Sequence, residues 1–415
     1  MTLIEKITNL TKTTIGSIDF LNLARKKITD FTRNRTMPFE ELIFFMLQSL
    51  KCSTQCALRR FFEKIGKTVS MRQQSFSEAR KKINVAAFVT LFRLTVSVMT
   101  ENCRKTWNDY YIYAIDGTKI ALPASKELLK HYGGLGKNAK TPTAQGSILY
   151  DVLNDIVLDA KIDGLDADER ALAMSHIDIC NMHSGKKLVI FDRGYPSFEL
   201  IEMLKKRGLY FLMRVKSKFN AEIDAQTASD GFVWLKNGKK RLLVRVIKIE
   251  LDSGEIETLI TNILDKRITV NDFKKLYFKR WPVETKYDVV KNKLQVENFS
   301  SRTVEGIEQD FYASMYLANV AAAAAIDAQP EIEEARKDKN NKYEYHANLN
   351  EVIGVLKDRL VLALTEDDTA KKSAIIQGII GEITRSVVPR RPDRQVARNS
   401  FPRKAKFHHN RKANC

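Results

Sequence analysis

The sequence lacks the features of a membrane protein or a secreted protein. No apolar run reaches about 18 residues, the length that a membrane-spanning helix requires. The segment from Met1 to Leu10 has no basic stretch followed by an apolar one, so a signal peptide is not supported. Cysteine is scarce, and although Cys52 and Cys56 lie close together, no two further ligands near them would complete a zinc site. We therefore expect a cytosolic protein.

Acidic residues are in deficit, with 50 Asp and Glu against 69 Lys and Arg and a net charge of +19. A polyanionic partner fits this charge, nucleic acid before an anionic membrane surface. Residues 1–105 hold over half of the excess, with 19 basic and 8 acidic side chains. Helical apolar spacing there, as in 39–47, predicts a basic helical region that grips duplex DNA, or alternatively a positively charged packing domain. Residues 389–415, with nine basic side chains and one Asp between prolines, are typical of a disordered tail.

From Tyr110 the pattern predicts a mixed α/β fold. The order strand, hairpin, helix, strand, helix, strand favours a mixed sheet covered by helices. A second β-rich stretch, 217–262, has turn signals at Asn237-Gly238 and Ser253-Gly254 and is expected to be an insertion, after which helix returns from about Val270. The predicted strands of the main sheet are 110–115, 147–153, 156–162, 187–191 and 210–215, with helices at about 167–182 and 197–206.

Two aspartates each follow an apolar strand: Asp116 precedes Gly117-Thr118, and Asp192 precedes Arg193-Gly194-Tyr195. In α/β sheets, ligands are bound at the carboxyl ends of strands. Either aspartate alone is more often a helix cap or a turn residue. Together with a third carboxylate, they could hold two divalent cations about 4 Å apart for phosphoryl transfer.

Glu284 is the candidate third carboxylate. Four residues share a stripe about 60° wide on a helical wheel: Tyr277, Arg280, Glu284 and Lys291. Glu284 would then bind metal while its three neighbours contact phosphates. On geometry alone, a surface helix with an Arg280–Glu284 ion pair is the simpler interpretation. Pro282 is expected to kink the helix or to mark its start, because proline lacks a backbone N–H.

The spacing Tyr-x2-Arg-x3-Glu-x6-Lys of these four residues resembles the signature of the insertion-sequence-four family of DDE transposases. The motif at Asp116 is similar to the family's first catalytic motif and that at Asp192 to its second, and both precede the signature in the family's order. The β-rich stretch 217–262 is similar to the insertion that these enzymes carry inside a ribonuclease-H-like core. Softer resemblance extends to residues 74–81 and 400–404.

This resemblance implies a cut-and-paste transposase that cleaves the ends of an insertion element and joins them to target DNA, with a hairpin intermediate as one option. The catalytic triad would be Asp116, Asp192 and Glu284, binding two Mg²⁺ ions that Mn²⁺ could replace. The expected partner is double-stranded DNA, both terminal inverted repeats and target, bound by a homodimer near the bacterial nucleoid. DNA contacts are expected from Tyr277, Arg280, Trp281, Lys291, Arg193 and Trp234.

Two of these contacts involve tryptophan. Trp281, three residues before Glu284, falls where the family often places an aromatic residue beside the DNA end. The aromatic residue that receives a flipped base in the family has no clear match, and Trp234 is a candidate for it. The alternative is that Trp234 packs the core of the insertion.

The expected organisation has five parts, and two other functions stay open. A nuclease that cuts without strand transfer could use the same carboxylates, and a domesticated copy could bind DNA only. The parts are a basic terminal-repeat-binding region at 1–105, a catalytic core at 106–216 and 263–325, the β insertion at 217–262, a helical region for dimerisation at 326–388, and the tail at 389–415.

Overall fold

The computed structural model describes residues 1–33, 35–49, 51–68, 71–136, 139–180, 184–251, 254–339 and 341–390, and only the backbone of residues 281 and 282. Most of the predicted tail therefore lies outside the described residues, as does Ser253 of a predicted turn. The chain forms two compact units. The helical unit comprises Met1–Asn102, Ile120–Ala144 and Asp288–Cys415, and the sheet unit comprises Cys103–Lys119 and Gln145–Tyr287. None of the described helices is long and apolar enough to cross a membrane.

Helices and strands alternate in the middle of the chain, and helices dominate at both ends. The described helices are α1 (Leu3–Ile15), α2 (Ile18–Ala24), α3 (Phe39–Leu47), α4 (Thr54–Lys64), α5 (Gln73–Arg80), α6 (Ala86–Asn102), α7 (Lys126–Tyr132), α8 (Glu169–Cys180), α9 (Phe198–Lys206), α10 (Ala221–Ala225), α11 (Val270–Phe278), α12 (Trp281–Asp288), α13 (Val304–Glu334), α14 (Leu349–Thr365) and α15 (Thr369–Arg385). The described strands are β1 (Tyr110–Ala121), β2 (Thr143–Asp151), β3 (Ile156–Gly164), β4 (Lys186–Phe191), β5 (Tyr210–Val215), β6 (Asp230–Asn237), β7 (Lys240–Glu250), β8 (Ile256–Thr261), β9 (Glu344–Ala347) and β10 (Val387–Arg390).

The helical unit is built around α13. The hydroxyl of Thr303 caps this helix by accepting the backbone N–H of Gly306. The small side chains of the alanine run 321–324 are buried, which lets neighbouring helices approach closely, and α6 and α15 pack against α13. Arg80, buried at the end of α5, pairs with Asp310 of α13 at 2.8 Å. The helices expected at both ends of the chain are therefore present.

The strands of the sheet unit form one mixed sheet with the order β3-β2-β1-β4-β5-β8-β7-β6. β1, β4 and β5 pair in parallel, and β5, β8, β7 and β6 pair antiparallel. The order of the first five strands is that of a ribonuclease-H-like sheet, so the predicted fold class is confirmed. The predicted β insertion supplies β6, β7 and β8, which continue this sheet beyond β5.

α11 covers one face of the sheet and carries the chain toward Glu284. Its N-terminus has a capping box in which Thr269 and Asp272 bond each other's backbone N–H groups. Phe273, Leu276 and Tyr277 recur at helical spacing and are buried in one apolar cluster with residues of β1, β4, β5, β7 and β8. Each such side chain contributes about 1.5–3 kcal/mol by burial, so the cluster fixes the end of α11 on the sheet.

Two elements differ from the sequence prediction. β1 does not stop at Ile115 but continues through Asp116 to Ala121, because β1 also neighbours β2 where its pairing with β4 has ended. The helical stripe of residues 277–291 is divided among α11, α12 and a π-helical turn at Val289–Lys293, with the helix start near Pro282 that was one of the two predicted outcomes. Pro282 is the second residue of α12, where backbone N–H groups have no partner within the helix, so it lies at a helix start.

Candidate active site

Asp116 and Asp192 lie near each other, just beyond the point where the parallel strands β1 and β4 stop pairing. The pairing ends with Ala114 opposite Ile190, so each aspartate is two residues beyond the last paired residue of its own segment. The charge of Asp192 raises the pKa of Asp116, so the two carboxylates are close enough to interact. The two aspartates singled out in the sequence therefore lie in one region of the fold.

Gly117 allows two polar side chains to approach the strand beside Asp116. A Cβ atom at Gly117 would lie 2.8 Å from Nε2 of Gln145 and 3.3 Å from Oε1 of Glu169. The shorter distance would make Gln145 shift. Gln145 is buried and donates to Glu169 at 3.2 Å. Glu169, the exposed first residue of α8, is thus a further carboxylate beside Gly117 that sequence reasoning missed.

α12 supplies Glu284, which is held by Arg280. Nη2 of Arg280 donates to Oε1 of Glu284 at 2.8 Å. Arg280 is only 6% exposed, and its guanidinium carbon lies 6.0 Å from the centre of the Tyr277 ring. The ion pair of the simpler interpretation is therefore present, but it is not fully exposed: the Arg280 side chain is buried while that of Glu284 keeps 29% exposure.

Three carboxylates therefore share one arginine. Burial raises the pKa of Asp116 to about 6, the net result of burial and the charges of Glu284 and Asp192 against the opposing effects of Arg280 and the backbone N–H of Gly117. Glu257, paired with Arg214 at 3.1 Å, also interacts with Asp192 and Arg280. Carboxylates therefore outnumber guanidinium groups around the site, which favours the binding of cations.

Three tyrosine hydroxyls lie around these carboxylates. Tyr277 donates to Oδ1 of Asp192 at 3.4 Å, at the outer limit of hydrogen bonding. Tyr287 donates to the backbone carbonyl of Asp116 at 2.6 Å. Tyr195 is buried, and among the described residues its hydroxyl has no hydrogen-bond partner. Burial and the nearby carboxylates raise the pKa of Tyr195, so it stays a neutral donor.

Sequence reasoning gave no role to Tyr195 or Tyr287, although Tyr195 ends the Asp192 motif. For Tyr287 a signal was present, because a residue three positions after Glu284 lies on the same side of a helix.

The donor set of the site fits Mg²⁺, although no closed metal cage is formed. Among the described residues, no group of three or more His, Cys, Asp or Glu side chains is arranged to hold a metal ion. Mg²⁺ is usually bound by one or two carboxylates and completes its shell with water and phosphate oxygens, so an open site suits it. The crowded carboxylates and the buried Tyr195 hydroxyl both match a bound cation with its water.

The other predicted contact residues lie in different surroundings. Arg193 is exposed directly after Asp192. Trp234 is 52% exposed on β6, so the alternative that it packs the core of the insertion is wrong. The side chain of Trp281 lies outside the described residues. Lys291 belongs to the helical unit, where it is buried on the π-helical turn with Nζ 4.0 Å from Glu297.

A ribonuclease-H-like sheet with paired aspartates on its central strands and a helical glutamate defines the class of metal-dependent phosphoryl-transfer enzymes that act on nucleic acids. Within this class, residues 107–320 match the family model described as transposase DDE domain, which covers just over half of the chain. The chain therefore belongs to this family of DDE transposases.

Other comparisons are more distant. No curated protein matches the sequence. Among solved structures, the chain is similar to piggyBac transposase in a cryo-EM synaptic complex with hairpin DNA, with 10% identity and a TM-score of 0.49 over 90% of this chain and 85% of that one. The family match, rather than this remote similarity, identifies the chain.

Proposed function

We propose that Asp116, Asp192 and Glu284 are the catalytic carboxylates and that the chain is a transposase of the insertion-sequence-four group. The observation that supports the proposal is that Asp116, Asp192 and Glu284 all interact electrostatically around the buried Arg280, which donates to Glu284 at 2.8 Å. The four-residue spacing from Tyr277 to Lys291 supports the finer family assignment.

The carboxylates would hold two Mg²⁺ ions, with Mn²⁺ as a substitute, and bound cations would supply activation of the attacking oxygen and stabilisation of the leaving oxygen. Water attacks phosphorus at the element end, the bond to the 3′-oxygen breaks, and a 3′-hydroxyl is released. That hydroxyl attacks phosphorus in the opposite strand, and the bond from this phosphorus to the 3′-oxygen of the flanking DNA breaks, which closes a hairpin. Water then attacks the hairpin phosphorus and releases the 3′-hydroxyl again, which attacks phosphorus in target DNA and displaces a target 3′-oxygen. Each step is an in-line displacement at phosphorus, so one site can perform them in turn.

Other side chains near the carboxylates are proposed to contact DNA or to orient the acidic residues. Arg280 pairs with Glu284, and we assign it a contact with a phosphate of the cleaved strand once DNA is bound. Tyr277 orients Asp192 through its hydroxyl, and we assign it a phosphate contact once DNA is bound. Arg193 and Trp281 complete the contacts near the cleaved end. Lys291 is assigned a phosphate contact by its place in the signature alone.

β6 offers a surface for an unpaired base. Phe232 and Trp234 are two residues apart, so they lie on the same face of this edge strand, and both are largely exposed. Lys236 follows on the same face, and Nζ of Lys266 lies 4.8 Å from the centre of the Phe232 ring. Exposed aromatic rings beside lysines are the usual platform for stacking single-stranded bases. Trp234 is therefore our candidate for the residue that receives a flipped base.

The basic helices of residues 1–105 would recognise the terminal inverted repeats, and the helices after residue 325 and the tail would serve pairing and non-specific DNA contact. Two copies of the chain, one per element end, would act together. Since the substrate is chromosomal DNA, we place the enzyme at the nucleoid in the bacterial cytosol.

The purified full chain, incubated with Mg²⁺ and DNA carrying the repeats that flank its own gene, should yield target molecules joined to element ends. Asp192→Asn should lose all products, whereas Asp166→Asn, an exposed aspartate of the same unit, should retain them. Products that are cut but never joined would favour a nuclease. Sequence-specific binding without any cleavage would favour a DNA-binding protein.

A further inference from the structure

The backbone carbonyl of Asp116 is held from the helix that carries Glu284. Tyr287 is three residues after Glu284 on α12, and its hydroxyl donates to this carbonyl at 2.6 Å. Tyr287 is only 8% exposed, so water competes little for the bond. This hydrogen bond therefore connects the backbone of Asp116 to the helix that carries Glu284.

A second contact fixes the same helix to the sheet. The buried ammonium of Lys286 lies 2.8 Å from Oδ1 of Asp155, in the turn between β2 and β3. Asp155 has a φ of 55° and also accepts the hydroxyl of Tyr150 at 2.6 Å, so its carboxylate is well ordered. Consecutive residues of α12 thus contact two different parts of the sheet unit.

A buried hydrogen-bonded chain lies behind the Asp116 carbonyl. Nδ1 of His176 is 2.8 Å from Oδ2 of Asp159, and Nε2 of His176 is 3.0 Å from Oγ of Ser147. Oγ of Ser147 is in turn 3.5 Å from the Asp116 carbonyl, a weak contact. The order Ser, His, Asp could suggest a nucleophile, but Ser147 is 1% exposed and His176 fully buried, so no substrate could reach them. Their contribution is to the order of the strands beneath the site.

We propose that Tyr287 is a positioning residue that sets the separation of Asp116 from Glu284, with Ser147, His176 and Asp159 as a supporting chain. The inference rests on the proposed function, because these carboxylates matter as cation ligands only there. Tyr287 touches neither reacting atoms nor a ligand; it acts through the backbone of Asp116. Residues that orient metal ligands typically change metal affinity or activity about 10- to 100-fold when removed.

The test measures cation binding directly. Mn²⁺ is titrated into the full-length protein without DNA, and free Mn²⁺ is followed by electron paramagnetic resonance. Tyr287→Phe removes only the hydroxyl and should weaken Mn²⁺ binding about tenfold. Thr261→Val is the matched control. The buried hydroxyl of Thr261, on β8, also donates to a backbone carbonyl, that of Phe211, at 2.6 Å. It should leave Mn²⁺ affinity unchanged.

Ser147→Ala provides a second variant and should weaken Mn²⁺ binding less than Tyr287→Phe does, because its contact is longer. Wild-type affinity in Tyr287→Phe, or an equal loss in Thr261→Val, would overturn the inference. A different result would contradict the proposed function: a wild-type protein that binds Mn²⁺ but produces no joined DNA. In cleavage assays, Tyr287→Phe should also need about tenfold more Mg²⁺ for half-maximal rate.

Discussion

The sheet unit contains two buried pairs of arginine and carboxylate that have opposite surroundings. Arg245 on β7 is fully buried and bonds both oxygens of Asp230 on β6 at 2.7 Å. It also donates to the carbonyls of Asp265 and Ile268, at 2.6 and 2.9 Å. Lys266 adds a second cation 3.3 Å from Asp230. The carboxylate here is outnumbered by its partners.

Arg280 and Glu284 form the contrasting pair. Arg280 is nearly as buried as Arg245, but besides its partner Glu284 it interacts with Asp116, Asp192 and Glu257. Arg214 beside Glu257 adds a second cation, so carboxylates still outnumber cations. The comparison teaches that burial of an ion pair does not mark a functional site. The balance of charge around the pair marks the site instead. A pair whose charges are compensated stabilises the fold, whereas an excess of carboxylates favours the binding of a cation.

The largest expected difference between the two pairs is in stability. Asp230→Ala leaves the fully buried Arg245 without a counter-charge, which should lower the free energy of unfolding by about 3–5 kcal/mol. Glu284→Ala should lower it by less than about 1 kcal/mol, because Asp116 and Asp192 still compensate Arg280. Urea unfolding of the metal-free variants measures both. Equal losses of unfolding free energy in the two variants would show that both ion pairs stabilise the fold to the same extent.

The next largest effect should be a gain in stability, from the replacement of Asp116. Because the pKa of Asp116 is raised to about 6, the folded state binds its proton more tightly than the unfolded chain, and this stabilisation is lost as pH rises from the ordinary aspartate value through about 6. Asp116→Asn avoids the buried charge and should stabilise the metal-free protein by about 2–3 kcal/mol at pH 7.

Thermal unfolding in EDTA across pH 4 to 8 measures this gain, which should vanish at the acid end. Asp166→Asn, at an exposed position, should give no gain at any pH. If Asp116→Asn instead destabilised the protein at pH 7, the charge of the Asp116 carboxylate would be compensated by its partners, as that of Asp230 is.

The smallest effect concerns the β6–β7 hairpin, whose base carries the Arg245 pair and whose exposed face carries Trp234. Trp234→Ala should change stability by less than about 0.5 kcal/mol, yet weaken binding to a pre-cleaved element end by about 1 kcal/mol through lost stacking. Fluorescence anisotropy with labelled DNA ends measures the binding. Ile256→Ala, an exposed apolar position on β8, should alter neither quantity, and a similar loss there would argue against stacking.

Local patterns predicted most strands, because alternating and apolar runs such as 187–191 encode burial directly. Asp116 and Asp192 were also found from sequence, since each follows such a run. The extension of β1 beyond Asp116 was not, because it depends on pairing with a strand distant in sequence. The helix start at Pro282 was one of the two outcomes expected from sequence, but the π-helical turn after α12 was not, because helical periodicity does not encode it.

The hydrogen bond from Tyr287 to Asp116 joins residues 171 positions apart. During synthesis on the ribosome, the aspartates emerge long before α12, so the nascent chain carries two of its acidic residues without the third. Contacts of such long sequence separation form late in folding, because closing a long loop is entropically unfavourable. A chain that terminates early, before Glu284 is translated, would lack the helix that closes the site. A truncated product of this transposase is therefore expected to leave the DNA around it uncut, even where it still binds.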